Sequence, residues 1–284
     1  MSLIYQPRGK AREYSPLALN IFTGCPHGCK YCYVPEVLRI TPDEFLHNKG
    51  VKKSFSLAQL DRDAKKIENS RYPVFLSFTS DPYPDFDQHT AVTRDALKIL
   101  LKYNIPVIIL SKGGRNWDRD IDIFEQFGSR IKIGATLTFA SLRESVKHEP
   151  KSSLPHDRIR ALKNMHDHGF MTWGSIEPVV IPSESIKVIK ETLDFVDEYR
   201  VGKITGNNEE YKRIERETDW TAFLQEAVDI LRDAGKRFYV KQELAKIARV
   251  DLTEDETDLQ RFDTFIGRES SVESTHGFGQ IGLL

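Results

Sequence analysis

The chain has 284 residues, with 41 Lys and Arg against 42 Asp and Glu and a formal net charge of -1. That balance gives no global field to draw in nucleic acid or an anionic membrane, although it leaves room for a local basic patch. No apolar run approaches the roughly 20 residues of a membrane-spanning helix, and Met1 to Lys10 lacks the apolar core of a signal peptide, so a cytoplasmic protein is expected.

Short apolar runs of strand type alternate with amphipathic stretches along most of the chain, the pattern of repeated βα units and a parallel sheet. The first strand reads as Leu17 to Phe22, and a cysteine-bearing loop follows it directly. A helix carrying Leu57, Leu60, Ala64 and Ile67 starts behind Ser56 as its cap. Strands at Val74 to Thr79 and Pro106 to Ser111 flank a helix with Val92, Ala96, Ile99 and Leu100, for which Thr90 is the expected cap. Ile131 to Thr138, Phe170 to Ile176 and Arg200 to Thr205 complete six strands. Between the last two, Ser183 and Ser185 open a helix carrying Ile186, Ile189, Leu193 and Val196. A helix from Trp220 to Ala234 stops at Gly235, Phe238 to Val240 offers a further short strand, and Glu243 to Ala248 is helical. The apolar residues named here are core by their helical and strand periods. Residues 1–250 are expected to form one α/β barrel domain, and residues 251–284, acidic and then rich in Ser and Gly, a C-terminal tail or flap.

All three cysteines fall in Cys25-Pro-His-Gly-Cys29-Lys-Tyr-Cys32, which leaves none to pair with across the fold and speaks against a disulfide framework. Their loop lies at the C-terminal end of the first strand, where parallel α/β barrels carry their active sites. Thiolates hold the irons of a 4Fe-4S cluster, and three of them leave one iron without a protein ligand. An open position suits a catalytic centre, whereas a closed set suits a structural one. The alternative is a zinc site completed by His27 or another side chain, although the second cysteine pair of a zinc ribbon is missing. His27 reads more simply as a loop residue, because a fourth protein ligand would close the site.

The CxxxCxxC spacing, with aromatic Tyr31 before the last cysteine, resembles the signature of the radical S-adenosylmethionine (SAM) superfamily. The stretch Tyr14 to Tyr33 is similar to the opening of its spore photoproduct lyase-like branch. The resemblance implies a partial (β/α)6 TIM-like barrel, with a 4Fe-4S cluster on Cys25, Cys29 and Cys32 and SAM on the open iron. It also implies reductive cleavage of SAM to a 5'-deoxyadenosyl radical that takes a hydrogen atom from a substrate, with an external donor such as flavodoxin or ferredoxin supplying the electron. Tyr31 would lie near the adenine, Ser80 and Asp81 at the SAM amino group, Lys112 at its carboxylate, and Thr136 and Thr138 near its ribose or methionine. Each has a plainer reading: an Asp-Pro turn for Asp81, a solvated charge for Lys112, and strand propensity for the two threonines.

The chain departs from that branch in one respect. The lyases carry a further cysteine beside the second-strand motif, where this chain has Phe78-Thr79, so spore photoproduct repair by the same route is not expected. Tyr33 or Tyr83 is the hydrogen donor available in its place, unless each is packing with a satisfied hydroxyl. Glu177-Pro178, Lys203 and Asn207 point towards the barrel mouth as substrate-pocket residues. Arg143 meets a carboxylate or decorates a helix, and His148, His156, His166 and His168 read as surface helix residues. Lys49, Lys52, Lys53, Arg62, Lys65 and Lys66 form a basic cluster that a solvated helix face explains as well as a nucleic acid does. The substrate could be a nucleic acid base, a peptide or a small metabolite, and the rival from another class is a noncatalytic iron-sulfur or zinc scaffold.

Overall fold

The computed structural model describes residues 2–206 and 208–262. Its strands are β1 Ile4–Tyr5, β2 Leu17–Leu19, β3 Phe22–Thr23, β4 Gly50–Val51, β5 Val74–Leu76, β6 Val107–Ser111, β7 Ile131–Thr136, β8 Met171–Val179, β9 Glu198–Lys203 and β10 Arg237–Val240. One sheet runs β1-β2-β5-β6-β7-β8-β9-β10, parallel throughout except for β1, which lies antiparallel against β2. Among the described residues β10 does not pair back to β1 or β2, so the sheet curls into a partial barrel with an open seam. It has one more parallel strand than the six expected, because Arg237–Val240 pairs along Glu198–Val201.

The first strand is shorter than Leu17 to Phe22, and Asn20 is the reason. Its carboxamide oxygen accepts from the backbone N–H groups of Phe78 at 2.8 Å and Thr79 at 3.2 Å, so a side chain takes over where the β2–β5 ladder stops. The chain then turns away, and β3 pairs antiparallel with β4. This bend delivers Cys25 to the C-terminal mouth of the barrel.

Side chains alternate across the sheet as strand geometry requires. Ala18, Phe75, Ile108 and Trp173 fill the interior together with Tyr14 and Phe78, while Leu76, Ile109, Ile133 and Val201 join the helices in the outer core. Trp173 fits inside because its β7 partner is Gly134, where a Cβ would lie 2.2 Å from the indole. The floor is closed by charge: Lys132 and Glu198 are buried and paired at 2.9 Å, with Arg237 3.2 Å from the other carboxylate oxygen. Burying these ions costs solvation that mutual pairing offsets.

Ser56 caps Leu57–Lys65 as expected, accepting from Gln59 N–H at 3.1 Å. The cap expected of Thr90 belongs instead to fully buried Asp87, whose two oxygens accept from the N–H groups of Val92 at 2.8 Å and Thr93 at 3.3 Å. A carboxylate reaches two orphan donors of a helix start where a hydroxyl reaches one. Pro182, at the first helical position, opens Pro182–Thr192, rather than Ser183 or Ser185.

Beyond β10 the chain forms Gln242–Ala248, Glu254–Thr257 and Leu259–Phe262. Phe262 is buried against Tyr239, with ring centroids 5.8 Å apart, so residues 251–262 pack onto the barrel; residues 263–284 lie outside the described residues. Among the described residues no helix is long and apolar enough to cross a membrane.

Candidate active site at the barrel mouth

The cysteine loop is wrapped tightly and tied down from both sides. Gly24 sits at φ +65°, and a Cβ there would come within 2.6 Å of the Phe45 carbonyl oxygen and 2.7 Å of that of Asn48. Only glycine tolerates that backbone approach in the left-handed region. Cys25 N–H donates to the Phe45 carbonyl at 3.3 Å, Lys30 N–H to that of His148 at 2.9 Å, and Cys32 N–H to that of Cys29 at 3.1 Å. Desolvation pushes the Cys25 thiol up to about 12, with the nearby Asp81 charge adding to it. Cys29 and Cys32 are likewise raised by burial, against which the Lys112 ammonium pulls downward. Each thiol therefore stays protonated until a cation compensates its charge.

Asp81 links the cysteine loop to the next strand end. Its carboxylate accepts from the Ser111 hydroxyl at 2.6 Å, from Lys112 N–H at 2.7 Å and from Tyr83 N–H at 2.8 Å, and the His27 ring stands 3.6 Å away. His27 is buried, and desolvation lowers its pKa despite Asp81, so it faces Asp81 as a neutral ring. The Ser80 hydroxyl donates to the Gly24 carbonyl at 2.6 Å. The structure thus brings Ser80, Asp81 and Lys112 together with the cysteines, and it gives Ser80 and Asp81 internal partners that make them braces of the loop. One polar atom beside them is spare: Thr79 Oγ1 is buried without a hydrogen-bond partner.

Tyr31 lies beneath the loop, buried, with the Lys112 ammonium 5.7 Å from its ring centroid. Its hydroxyl donates to Glu149 and lies 3.5 Å from Thr138 Oγ1. Thr136 is buried at the end of β7, and its carbonyl accepts from Arg158 at 2.9 Å. His148 corrects the surface reading: it is buried, stacked on Phe139 at 5.3 Å, with Nδ1 2.7 Å from the Tyr211 hydroxyl. His156 and His168 are exposed and His166 is half-buried.

The two candidate hydrogen donors part company. Tyr83 is fully buried and donates to Asp120 at 2.9 Å, which makes it a packed and satisfied residue turned away from the cysteines. Tyr33 is 49% exposed and donates to the Phe78 carbonyl at 3.2 Å, at the rim of the mouth. Glu177 does face the barrel interior, accepting from Tyr14 with Lys241 3.3 Å away. Lys203 is instead spent on Glu215 and Glu243. Arg143 is exposed on its helix, 3.8 Å from Glu144, and Asn207 lies outside the described residues. Sequence reasoning missed Asn20, Thr79, Tyr14 and the Glu149–Arg158 pair. Only Asn20 carried a signal, as a polar residue interrupting an apolar strand run.

The donor set fits an iron-sulfur cluster. Cys25, Cys29 and Cys32 are thiols on one short loop, and thiolates are the ligands that hold the irons of such a cluster.

A sequence relative is an uncharacterized protein of Methanocaldococcus jannaschii, 28% identical over 185 residues, 64% of this chain and 67% of that one. Another is an uncharacterized protein of the Acidianus two-tailed virus, 22% identical over 63% of this chain and 61% of its own length. In fold the chain is similar to a spore photoproduct lyase variant at a TM-score of 0.64 and 14% identity, over 83% of this chain and 78% of that one. It is also similar to SuiB of Streptococcus suis bound to S-adenosylmethionine, at 0.60 and 13%, over 84% and 53%. The model of the Radical SAM superfamily matches residues 19–196, a span that holds the cysteine loop and strands β5 to β8. With more than half of its 284 residues in that match, the chain belongs to the Radical SAM superfamily, and a 4Fe-4S cluster and SAM are the cofactor and co-substrate that membership implies.

Proposed function

We propose that the protein cleaves SAM reductively at a 4Fe-4S cluster held by Cys25, Cys29 and Cys32, and that the resulting radical takes a hydrogen atom from a substrate lying over the barrel interior. The observation that carries this reading is the convergence of the cysteine loop with the loops after β5 and β6 around Asp81, which stands 3.6 Å from His27 of one loop and accepts from the Ser111 hydroxyl and Lys112 N–H of the other. When bound, the cluster supplies one electron to the SAM sulfonium, giving methionine and a 5'-deoxyadenosyl radical.

This chain's own residues do the rest. The Lys112 ammonium, which lies close enough to Cys29 to pull its pKa downward, would meet the SAM carboxylate, and the buried Thr79 hydroxyl without a partner would meet its amino group, in a site where a charge-assisted hydrogen bond counts for more than in water. Tyr31 forms a buried aromatic wall, and Thr138 beside its hydroxyl is placed near the methionine or ribose. Phe75, Phe78 and Trp173 exclude water from the barrel interior, where a free radical would otherwise be quenched.

A small external electron donor such as flavodoxin or ferredoxin would reduce the cluster. A nucleic acid base is the leading substrate class, supported by the fold likeness to a spore photoproduct lyase solved with bound AdoMet and dinucleoside spore photoproduct. With three cysteines in the sequence, a hydrogen returned to the substrate would come from another group, and the 49% exposure of Tyr33 favours it over fully buried Tyr83.

Anaerobic reconstitution with iron and sulfide, then reduction in the presence of SAM, tests the reading. Formation of 5'-deoxyadenosine is expected. A reconstituted cluster that yields none would leave a noncatalytic iron-sulfur scaffold, and binding of zinc alone would end the cluster assignment.

A further inference from the structure

Beneath the cysteine loop lies an ion pair that none of the steps above uses. Glu149 and Arg158 are both about 2% exposed, and the Arg158 guanidinium is bonded to the Glu149 carboxylate. Its remaining donors are nearly exhausted: Nε to the Ser153 carbonyl at 2.8 Å, Nη1 to that of Thr136 at 2.9 Å and Nη2 to the Ser152 hydroxyl at 2.6 Å. The other oxygen of Glu149 accepts from the Tyr31 hydroxyl, one residue before Cys32. An ion pair this deep is weak support for stability as such, because desolvation consumes most of what pairing returns.

The backbone around the pair shows what it is braced against. Lys30 N–H donates to the His148 carbonyl, Lys151 N–H donates to that of His27 at 3.1 Å, and Ser153 N–H donates to that of Lys112 at 3.1 Å. The segment from His148 to Arg158 therefore holds the cysteine loop by two of these backbone bonds and by the Tyr31–Glu149 bond, the Lys112 loop once and the end of β7 once. Glu149 also places a negative charge beside Cys29 that opposes the Lys112 ammonium.

We infer that Glu149, braced by Arg158, is a positioning residue for the cluster: it fixes Tyr31 and with it the loop that presents Cys29 and Cys32, and its charge lowers the cluster's reduction potential. The inference rests on the cluster reading proposed above. A buried carboxylate near the irons disfavours the added electron, and its removal leaves Arg158 and Lys112 as uncompensated cations beside the cluster.

The test uses the full chain reconstituted anaerobically and titrated with reductant, the reduced cluster being followed by electron paramagnetic resonance. Glu149→Gln keeps the shape and can still accept from Tyr31, and it is expected to shift the midpoint potential in the positive direction. Tyr31→Phe keeps the charge and cuts the tether. It is expected to leave the midpoint near wild type and to lose the cluster's visible absorbance to a chelator on the order of tenfold faster, the factor for one lost charge-assisted hydrogen bond. A folding defect alone would lower the unfolding midpoint without moving the potential. A wild-type potential in Glu149→Gln overturns the charge role, and wild-type cluster retention in Tyr31→Phe overturns the tether, which is also the deciding result if Glu149→Gln does not fold. If the unaltered chain takes up no cluster, the underlying reading fails instead.

Discussion

The Asp81 carboxylate at the end of β5 and the Ser111 hydroxyl at the end of β6 are joined by a buried 2.6 Å hydrogen bond. The same carboxylate holds Lys112 N–H at 2.7 Å, so the position of the cation beside the cysteines is set from the neighbouring strand. A site assembled from loops on separate strands depends on such cross-links, because each loop alone has many conformations of similar energy.

Replacing Asp81 therefore tests positioning. In Asp81→Asn one oxygen becomes an N–H₂ group, which accepts nothing, so the remaining oxygen serves either the Ser111 hydroxyl and Tyr83 N–H or Lys112 N–H and no longer all three. A loss of about 1–3 kcal/mol is expected from the buried donor left unpaired. It should be accompanied by weaker SAM binding to the reconstituted protein. Calorimetric titration with SAM alongside urea unfolding measures both, and unchanged SAM affinity would remove Asp81 from the site.

Cys29→Ala is expected to abolish cluster assembly while leaving the apo chain folded, since its small, partly buried side chain packs at the edge of the core from a loop and belongs to no strand or helix. Iron and sulfide content measured against the far-ultraviolet circular dichroism spectrum checks this. Retention of a full cluster would contradict the ligand assignment.

Gly24→Ala should act on the same loop through the backbone. The new Cβ would overlap the Phe45 and Asn48 carbonyl oxygens at 2.6 and 2.7 Å, and the left-handed conformation adds strain of its own. Cβ strain in that region is worth roughly 1–2 kcal/mol before any overlap. Lower iron incorporation together with a reduced unfolding midpoint is the expected result, and wild-type incorporation would show that the loop is looser than its hydrogen bonds imply.

The apo chain should be labile to base. The Cys25 thiol is raised by burial from 9.0 to about 12, so the folded state binds its proton more tightly than the unfolded state does. The stability this contributes is fully present below pH 9.0 and is lost as the pH climbs towards about 12. Cys29, Cys32, Tyr14 and Tyr31 are raised by burial and act in the same direction. Urea unfolding across the alkaline range should show falling stability, with a shallower fall in Cys25→Ser; a flat profile would mean the thiols are solvated.

Tyr83→Phe separates structure from chemistry. Deleting its hydroxyl leaves the buried Asp120 carboxylate one donor short, at a cost on the order of 1–3 kcal/mol. Tyr33→Phe removes one hydrogen bond, to the Phe78 carbonyl at 3.2 Å, from a half-exposed residue and should cost less stability, about 1 kcal/mol. Product formation lost in the Tyr83 variant at unchanged stability would restore Tyr83 as a hydrogen donor and refute the packing role.

The sequence by itself determined the barrel and singled out the cysteine loop, because both rest on local signals. Strand and helix periods set the βα order, and the cysteine spacing put three thiols on the loop that follows the first strand. The seventh parallel strand was visible only as a short run, Phe238 to Val240, whose place depends on pairing with β9. Tertiary structure alone decided which polar residues serve the site. Asp81 and Ser80 look like ligand-gripping groups in sequence and also brace the cysteine loop and the Lys112 loop, while Glu149, 117 residues from Cys32 and set in a charged stretch, lies buried against Tyr31. His148 reads as surface and is core for the same reason: whether a charged or polar side chain is solvated or buried depends on what folds over it, and these contacts come from distant parts of the chain with no local period to announce them.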